Sequence, residues 1–218
     1  DNGRLSESAA TFTRATEANP DDAEAISSLA DVLVQREEPE AAITACEQFL
    51  MQHPGNTSVL AAKSVALNER GDIAAVQQLV DLDRFVALVC HDKAPGYKSL
   101  DAFNAAMVDH AVNHPSLTLS PTSHATRLGK HTADLTQKPK GPVSAFENMI
   151  GKAVDEFVCR LGTDTTHPFI AHRPRKWHLA VWAIVLDGKG YQVSHIHRTA
   201  WLSGVYYAQV PEIVNQDG

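Results

Sequence analysis

The segment NPDDAEAISSLADVLVQREEPEAAITACEQFLMQHP, residues 19–54, decides the fold of the N-terminal half. It opens with Asn19-Pro20 and closes with His53-Pro54, so a polar residue followed by proline recurs after 34 positions (53 − 19 = 34). Repeats built from two antiparallel helices have periods of this length. Within the segment, apolar residues follow helical spacing in two stretches that Glu37-Glu38-Pro39 separates. The sequence therefore predicts a helical hairpin that recurs along the chain.

The register of this repeat holds position by position: Ile26 corresponds to Leu60, Ala30 to Ser64, Leu33 to Leu67, Glu37 to Gly71 and Ala41 to Ala75. Asp21 or Asp22 is the expected N-cap of the first helix. Its apolar positions are Ile26, Leu29, Ala30 and Leu33, and those of the second helix are Ala41, Ala42, Ala45, Cys46, Phe49 and Leu50.

A second hairpin is expected over residues 57–70 and 73–86, with Gly71-Asp72 as its turn, and residues 4–18 are expected to be the second helix of a preceding unit. This arrangement resembles the tetratricopeptide repeat (TPR). The alternative is a generic helical bundle. The resemblance implies a concave surface for a peptide or protein partner, which the sequence does not name.

Composition excludes several classes of function. A net charge of −7 and a pI near 5.8 disfavour a nucleic-acid surface, which requires clustered Lys and Arg. Cys46, Cys90 and Cys159 lie far apart and form no C-x-x-C pair, so we expect reduced, buried thiols in a cytoplasmic protein. The longest apolar run, residues 177–186, is roughly half of a membrane span. We therefore expect a soluble protein that binds neither nucleic acid nor membrane.

The helical pattern breaks at residues 90–96, which we interpret as a domain boundary between residues 1–90 and 91–218. Beyond it the sequence predicts a helix over 100–112, a polar stretch with short extended pieces over 113–142, and a helix over about 143–161. The first of these helices has Leu100, Phe103, Met107 and Ala111 on its apolar side, and the second has Phe146, Ile150, Val154, Phe157 and Val158.

From Trp177 to Leu186 the pattern becomes extended, and Asp187-Gly188-Lys189-Gly190 predicts a hairpin turn or a bulged loop. We expect a second strand from Tyr191 that contains His195 and His197, whose side chains would then project from the same face. Two imidazoles on one face are suited to a divalent metal ion. The alternative is one histidine in the core and one at the surface.

A further strand is predicted over residues 201–211. The sequence His195-Ile196-His197, a short loop and then W-L-S-G-V-Y-Y (residues 201–207) resembles the iron(II)- and 2-oxoglutarate-dependent oxygenase family that is often found behind TPR repeats. The stretch from Arg173 to Leu186 is also similar to this family, so the resemblance covers roughly residues 90–214. It implies an α+β chain in which TPR-like helical hairpins precede part of a double-stranded β-helix, or jelly-roll, domain.

The resemblance also implies site residues. His195 matches the first iron ligand, and His197 lies where the family has a carboxylate, so His197 is either a ligand or a residue that supports one. Tyr207 matches the tyrosine that binds the distal carboxylate of 2-oxoglutarate, although it could equally be an ordinary strand aromatic. Its neighbour Tyr206 is expected to pack against the core.

The late histidine ligand and the cosubstrate-binding arginine of this family have no candidates in the sequence. A complete domain needs about eight strands, whereas the sequence predicts three or four, so we expect a chain that is truncated at its C-terminal end. We expect a dioxygenase when the protein is intact and an inactive 218-residue chain.

Two alternatives lead to other functions. A cupin also uses H-x-H, but a glutamate ligand follows within a few residues, and here none occurs before Glu212. The second alternative is a non-catalytic TPR adaptor with an incomplete or degenerate sheet. A late histidine with a nearby arginine in a longer reading frame would favour the enzyme over the adaptor.

Overall fold

The computed structural model of the protein describes residues 2–122 and 124–211. These residues form an α+β structure, which confirms the predicted class. The helices are α1 (Asn2–Ala18), α2 (Ala23–Gln35), α3 (Pro39–Leu50), α4 (Thr57–Glu69), α5 (Ile73–Leu79), α6 (Leu82–Phe85), α7 (Leu100–Val112), α8 (Val143–Leu161) and α9 (Pro168–Ala171). The strands are β1 (Thr118–Leu119), β2 (Thr126–His131) and β3 (Ile184–Gln192).

The chain divides into two compact units. The first, which we call the repeat unit, comprises the residues up to Ala87 together with Leu161–Arg175 and Ile196–Ser203. The second, the sheet unit, comprises Leu88–Arg160, Lys176–His195 and the described residues from Gly204 onward. Both units thus contain segments from the C-terminal third of the chain.

The 34-residue period reappears in the helix caps of the repeat unit. The Asp22 carboxylate accepts a hydrogen bond from the Ala25 N–H at 3.0 Å, and the Asn56 side chain accepts one from the Val59 N–H at the same distance. The two caps are 34 residues apart, and each satisfies an N–H group that has no partner within its helix. Of the two aspartates considered as the first cap, the structure selects Asp22.

The core of the repeat unit lies between α2, α3 and α4. Its buried members are Ile26, Ala30, Ala42, Ile43, Cys46, Phe49, Val59, Ala62, Ala66 and Leu67. The prediction for α3 was wrong at one position, since Ala41 is exposed and Ile43 is buried in its place. The branched side chain of isoleucine buries more apolar area than alanine does, and this gain favours a buried face of α3 that includes Ile43 rather than Ala41.

The last predicted helix of the repeats is shorter than expected. Instead of continuing to Val86, α5 ends at Leu79, and α6 begins after Asp81. The Asp81 carboxylate accepts a hydrogen bond from the Arg84 N–H at 3.1 Å, so it caps a new helix. An N-cap residue has non-helical dihedral angles, which separates α5 from α6 at this point.

In the sheet unit, α7 and α8 have the bounds that the sequence predicts. The buried cluster consists of Ala94, Phe103, Ala145, Phe146 and Met149, and partly buried apolar side chains pack against it. Phe103 is fully buried and contacts the ring of Phe146 at a centroid distance of 6.5 Å. Aromatic packing between the helices thus organises this unit.

The sheet among the described residues is antiparallel, with strand order β1-β2-β3. In the register of β2 and β3, Gly129 lies opposite Leu186 and Arg127 opposite Tyr191. The four residues 187–190 therefore lie across from Leu128 alone and form a four-residue bulge in β3. The sequence predicted a hairpin turn or a bulged loop here, and the structure has the bulge, with both flanks pairing to β2.

The remaining strand predictions were wrong in their bounds. Residues 177–183 are outside the strand, although the Leu135 N–H donates to the carbonyl of Val181 and the Thr132 N–H to that of Ala183. Residues 193–211, predicted to contain two strands, have no assigned strand. A strand requires a neighbouring strand for its N–H and C=O groups. The Val193 N–H still donates to the Ala125 carbonyl, but the Ala200 N–H donates to the His197 carbonyl within a turn. The double-stranded β-helix stays a prediction.

Candidate functional site

His195 lies in the extended segment that follows β3 and is exposed. Its Nδ1 atom is 2.8 Å from the carbonyl oxygen of Val193. Because a carbonyl only accepts hydrogen bonds, Nδ1 donates, and in the neutral ring the lone pair then lies on Nε2. Metal-binding histidines commonly use this arrangement, in which one nitrogen donates to a carbonyl and the other faces the metal.

His197 lies in the repeat unit, in the segment Ile196–Ser203. It is half-buried, and its carbonyl oxygen accepts a hydrogen bond from the Ala200 N–H at 3.1 Å. This bond closes a turn over residues 197–200. The backbone at His197 is therefore not part of a strand. The strand geometry from which we predicted that the side chains of His195 and His197 project from the same face is absent at this position.

Iron in this class of oxygenase is held by three protein ligands. Over residues 2–122 and 124–211, the structure contains no group of three or more His, Cys, Asp or Glu side chains that could hold a metal ion. The described residues therefore do not form a complete three-ligand iron centre by themselves.

Tyr206 and Tyr207 have opposite environments within the sheet unit. The Tyr206 hydroxyl donates a hydrogen bond to the Asn104 side-chain oxygen at 2.6 Å, and its ring packs against Phe103 and Phe146. Burial raises the pKa of the Tyr206 hydroxyl. Tyr207 is 72% exposed. The expectation that Tyr206 packs is confirmed, and the ligand role of Tyr207 stays a prediction.

The structure also gives contacts that the sequence analysis missed. Within the repeat unit, a terminal guanidinium nitrogen of Arg198 lies 2.8 Å from each carboxylate oxygen of Asp31 in α2. The carbonyl oxygen of Arg198 accepts a hydrogen bond from the Thr57 hydroxyl at 2.9 Å. These partners are 167 and 141 positions from Arg198, and only folding brings them together. The sequence signal for this contact was Asp31, a charged residue between the buried Ala30 and Val32.

Trp201 forms a second contact of this kind. Its ring stacks on Phe169 at a centroid distance of 4.9 Å and an interplanar angle of 16°, and its indole N–H donates to the Phe169 carbonyl at 3.2 Å. Phe85 packs against the same Phe169 ring, edge to face, at 5.0 Å. Residues 198 and 201 therefore fix the segment within the repeat unit through a charged group and an aromatic group.

None of the helices that the structure describes is both long enough and apolar enough to cross a membrane. The search for similar proteins finds no curated protein and no solved structure that matches the chain. Two family models do match, one described as "Tetratricopeptide repeat" over residues 1–65 and one described as "Putative 2OG-Fe(II) oxygenase" over residues 180–218.

The first match covers α1 to α3 and most of α4, including the two helix caps that are 34 residues apart. The second covers all of β3 and the segment with His195, His197, Tyr206 and Tyr207. The chain thus combines tetratricopeptide repeat sequence at its N-terminal end with 2OG-Fe(II) oxygenase family sequence at its C-terminal end.

Proposed function

We propose that the protein works as an iron(II)- and 2-oxoglutarate-dependent dioxygenase whose repeats bind a peptide or protein partner. The observation that carries this proposal is the family match over residues 180–218, which includes His195, His197 and Tyr207. The family implies iron and 2-oxoglutarate in general. The three thiols are free, and we place the protein in the reducing cytoplasm.

His195 and His197 are the proposed iron ligands of this chain. The hydrogen bond from His195 Nδ1 to the Val193 carbonyl supports the first role, since it holds the ring and its tautomer. His197 replaces a carboxylate, so two neutral ligands would leave the full metal charge to the dianionic cosubstrate. Iron with 2-oxoglutarate would supply the oxidation that couples decarboxylation to hydroxylation. The described residues contain no group of three His, Cys, Asp or Glu side chains that would complete the site.

Tyr207 is the proposed partner of the distal carboxylate of 2-oxoglutarate. Its hydroxyl can donate a hydrogen bond to a carboxylate, and its exposure leaves it accessible to a small molecule. Tyr206 is unsuitable for this role because its hydroxyl already donates to Asn104. The proposed substrate is a side chain of a peptide or protein, since the repeats offer a surface for such a partner.

Anaerobic titration of iron(II) in the presence of 2-oxoglutarate tests the proposal, with detection of the visible metal-to-ligand charge-transfer band. The measurement is made on this chain and on any longer natural form of the protein. We expect a band that His195→Ala abolishes and that the control His178→Ala preserves, because His178 is also exposed in the sheet unit but lies outside the family match. Absence of the band from every form measured would contradict the enzymatic role.

A specific observation favours a second candidate, a non-catalytic TPR adaptor. No three-ligand metal group is present among the residues that the structure describes. An adaptor would bind its protein partner with unchanged affinity when iron, 2-oxoglutarate or His195 is removed. The titration above, combined with a partner-binding assay, separates the two functions.

A further inference from the structure

Arg198 is held by two helices of the repeat unit at once. Its guanidinium pairs with the Asp31 carboxylate of α2, and its backbone carbonyl accepts from the Thr57 hydroxyl at the start of α4. The Arg198 and Asp31 side chains are 29% and 35% exposed, so the pair is partly shielded from water. A charge-assisted hydrogen bond in such surroundings contributes more than an exposed ion pair.

The position is also specific for an arginine residue in a peptide chain. Asp31 recognises the charged side chain, while Thr57 recognises the main-chain carbonyl of the same residue. One terminal guanidinium nitrogen lies 2.8 Å from both Asp31 carboxylate oxygens, so the contact selects a cationic side chain. The two helices have the same place in successive repeats, so the face they share is built by the repeat itself.

Trp201 provides a second anchor three residues further on, through its stack on Phe169 and its indole hydrogen bond. Thr199 between the anchors is exposed, and the turn closed by the Ala200 N–H sets the spacing. The segment has no helix or strand of its own. Arg198 and Trp201 thus hold this segment by one charged and one aromatic side chain, with two residues between them.

We propose that this face of the repeat unit is a binding site for peptides with an arginine followed three residues later by an aromatic residue. Arg198 and Trp201 are its occupants within the chain itself. The inference rests on the proposed partner-binding role of the repeats and names the chemistry of the partner. Because His197 directly precedes Arg198, a partner that displaces the segment also releases this histidine from its turn.

Fluorescence anisotropy with a labelled peptide of sequence HRTAWL, which copies residues 197–202, tests the inference on the full chain. The variant Arg198→Gln/Trp201→Ala empties the site, and we expect it to bind the peptide at least about tenfold more tightly than the wild-type chain, in which the site is filled. Replacement of arginine in the peptide by alanine, or Asp31→Asn in the protein, should weaken binding by about tenfold or more, the effect of one charge-assisted hydrogen bond.

Equal affinity for the wild-type and emptied chains would overturn the inference, as would equal affinity for the emptied chain with and without Asp31→Asn. If the double variant does not fold by circular dichroism, Arg198→Gln alone is tested with the shorter peptide HRTA, because its own Trp201 still fills the second anchor. Equal affinity of that variant and the wild-type chain for this peptide also overturns the inference. The iron titration is independent: a charge-transfer band without peptide binding rejects only this site, and peptide binding without a band rejects only the oxygenase.

Discussion

Glu37 and Gly71 hold the same left-handed backbone conformation at equivalent positions of successive repeats, with φ of 64° and 81°. Each of these residues follows the first helix of its hairpin, and the two helices end in the same way. The Glu38 N–H donates to the Leu33 carbonyl, and the Asp72 N–H donates to the Leu67 carbonyl, again 34 residues further on. This is the hydrogen-bond pattern of a helix end with a left-handed residue, for which glycine is preferred.

Glu37→Gly should therefore stabilise the repeat unit. A side chain in the left-handed region costs about 1–2 kcal/mol, and the added freedom of glycine in the unfolded chain offsets part of this gain. We expect the free energy of unfolding to rise by about 0.5–1 kcal/mol, as measured by urea denaturation with far-UV circular dichroism.

The matched control is Gly71→Ala, which introduces a side chain at the same place in the next repeat. No atom lies within 4 Å of the position a Cβ would take there, so any loss of stability reports backbone conformation alone. We expect a loss of about 1 kcal/mol. A destabilising effect of Glu37→Gly would show that the Glu37 side chain makes a contact that outweighs the strain.

Asp164 should make the repeat unit sensitive to acid. Hydrogen bonds from the Thr166 hydroxyl and N–H, and then from Arg84, hold the pKa of the Asp164 carboxyl well below its ordinary value. A carboxyl with a depressed pKa in the folded state contributes stability above its unfolded pKa of about 3.9, and this contribution is lost as pH falls below that value.

Urea denaturation between pH 7 and pH 2 measures this effect. We expect Asp164→Asn to be less stable than wild type at neutral pH and to lose less stability between pH 4 and pH 2. Asp83→Asn, which changes an exposed carboxylate of α6 in the same unit, serves as the control. Parallel pH profiles for wild type and Asp164→Asn would show that these hydrogen bonds contribute nothing to folding.

Cys46 should resist thiol reagents while the protein is folded. Burial raises the pKa of its thiol to about 12, so at pH 8 almost no thiolate forms. Cys90 and Cys159 are exposed, so the prediction of buried thiols was wrong for these two. Titration with a chromogenic disulfide reagent should therefore detect two thiols in the native protein and all three in denaturant. Rapid reaction of a third thiol without denaturant would indicate that the core between α2 and α4 opens readily.

Replacement of each tyrosine by phenylalanine should separate packing from ligand binding. Tyr206→Phe removes the hydrogen bond to Asn104 and should lower the free energy of unfolding by about 1 kcal/mol. Tyr207→Phe removes an exposed hydroxyl and should change it by less than about 0.5 kcal/mol. If Tyr207 binds the cosubstrate, the substitution Tyr207→Phe should also lower the affinity for 2-oxoglutarate in the iron titration.

The helical part could be predicted because its signals are local. Within the hairpins, caps, breaks and apolar spacing placed the turns of the repeats. In the sheet unit, the same kinds of signal gave the bounds of α7 and α8. The error at Ala41 and Ile43 arose because two stripes of α3 are apolar, and only packing against α2 and α4 selects between them. The early end of α5 was not predicted because it depends on one residue, Asp81, which caps α6 instead of continuing α5.

The extended part was less predictable because a strand is defined by its partner. Residues 187–190 could form a turn or a bulge, and the register with β2 decides for the bulge. Strands predicted around His195 and over residues 201–211 have apolar and aromatic residues typical of sheets, but this segment makes turn and side-chain contacts instead. The proposed metal ligands follow from family similarity, since H-x-H spacing alone does not specify a site.

By itself, the sequence determined the α+β class, the 34-residue helical repeat and the similarity of the C-terminal segment to an oxygenase family. These features depend on residues that are neighbours along the chain or belong to a continuous motif. Only the tertiary structure decided that Arg198 pairs with Asp31 and that Trp201 stacks on Phe169. Such contacts join distant residues whose pairing depends on the geometry of helix packing, which no local spacing encodes.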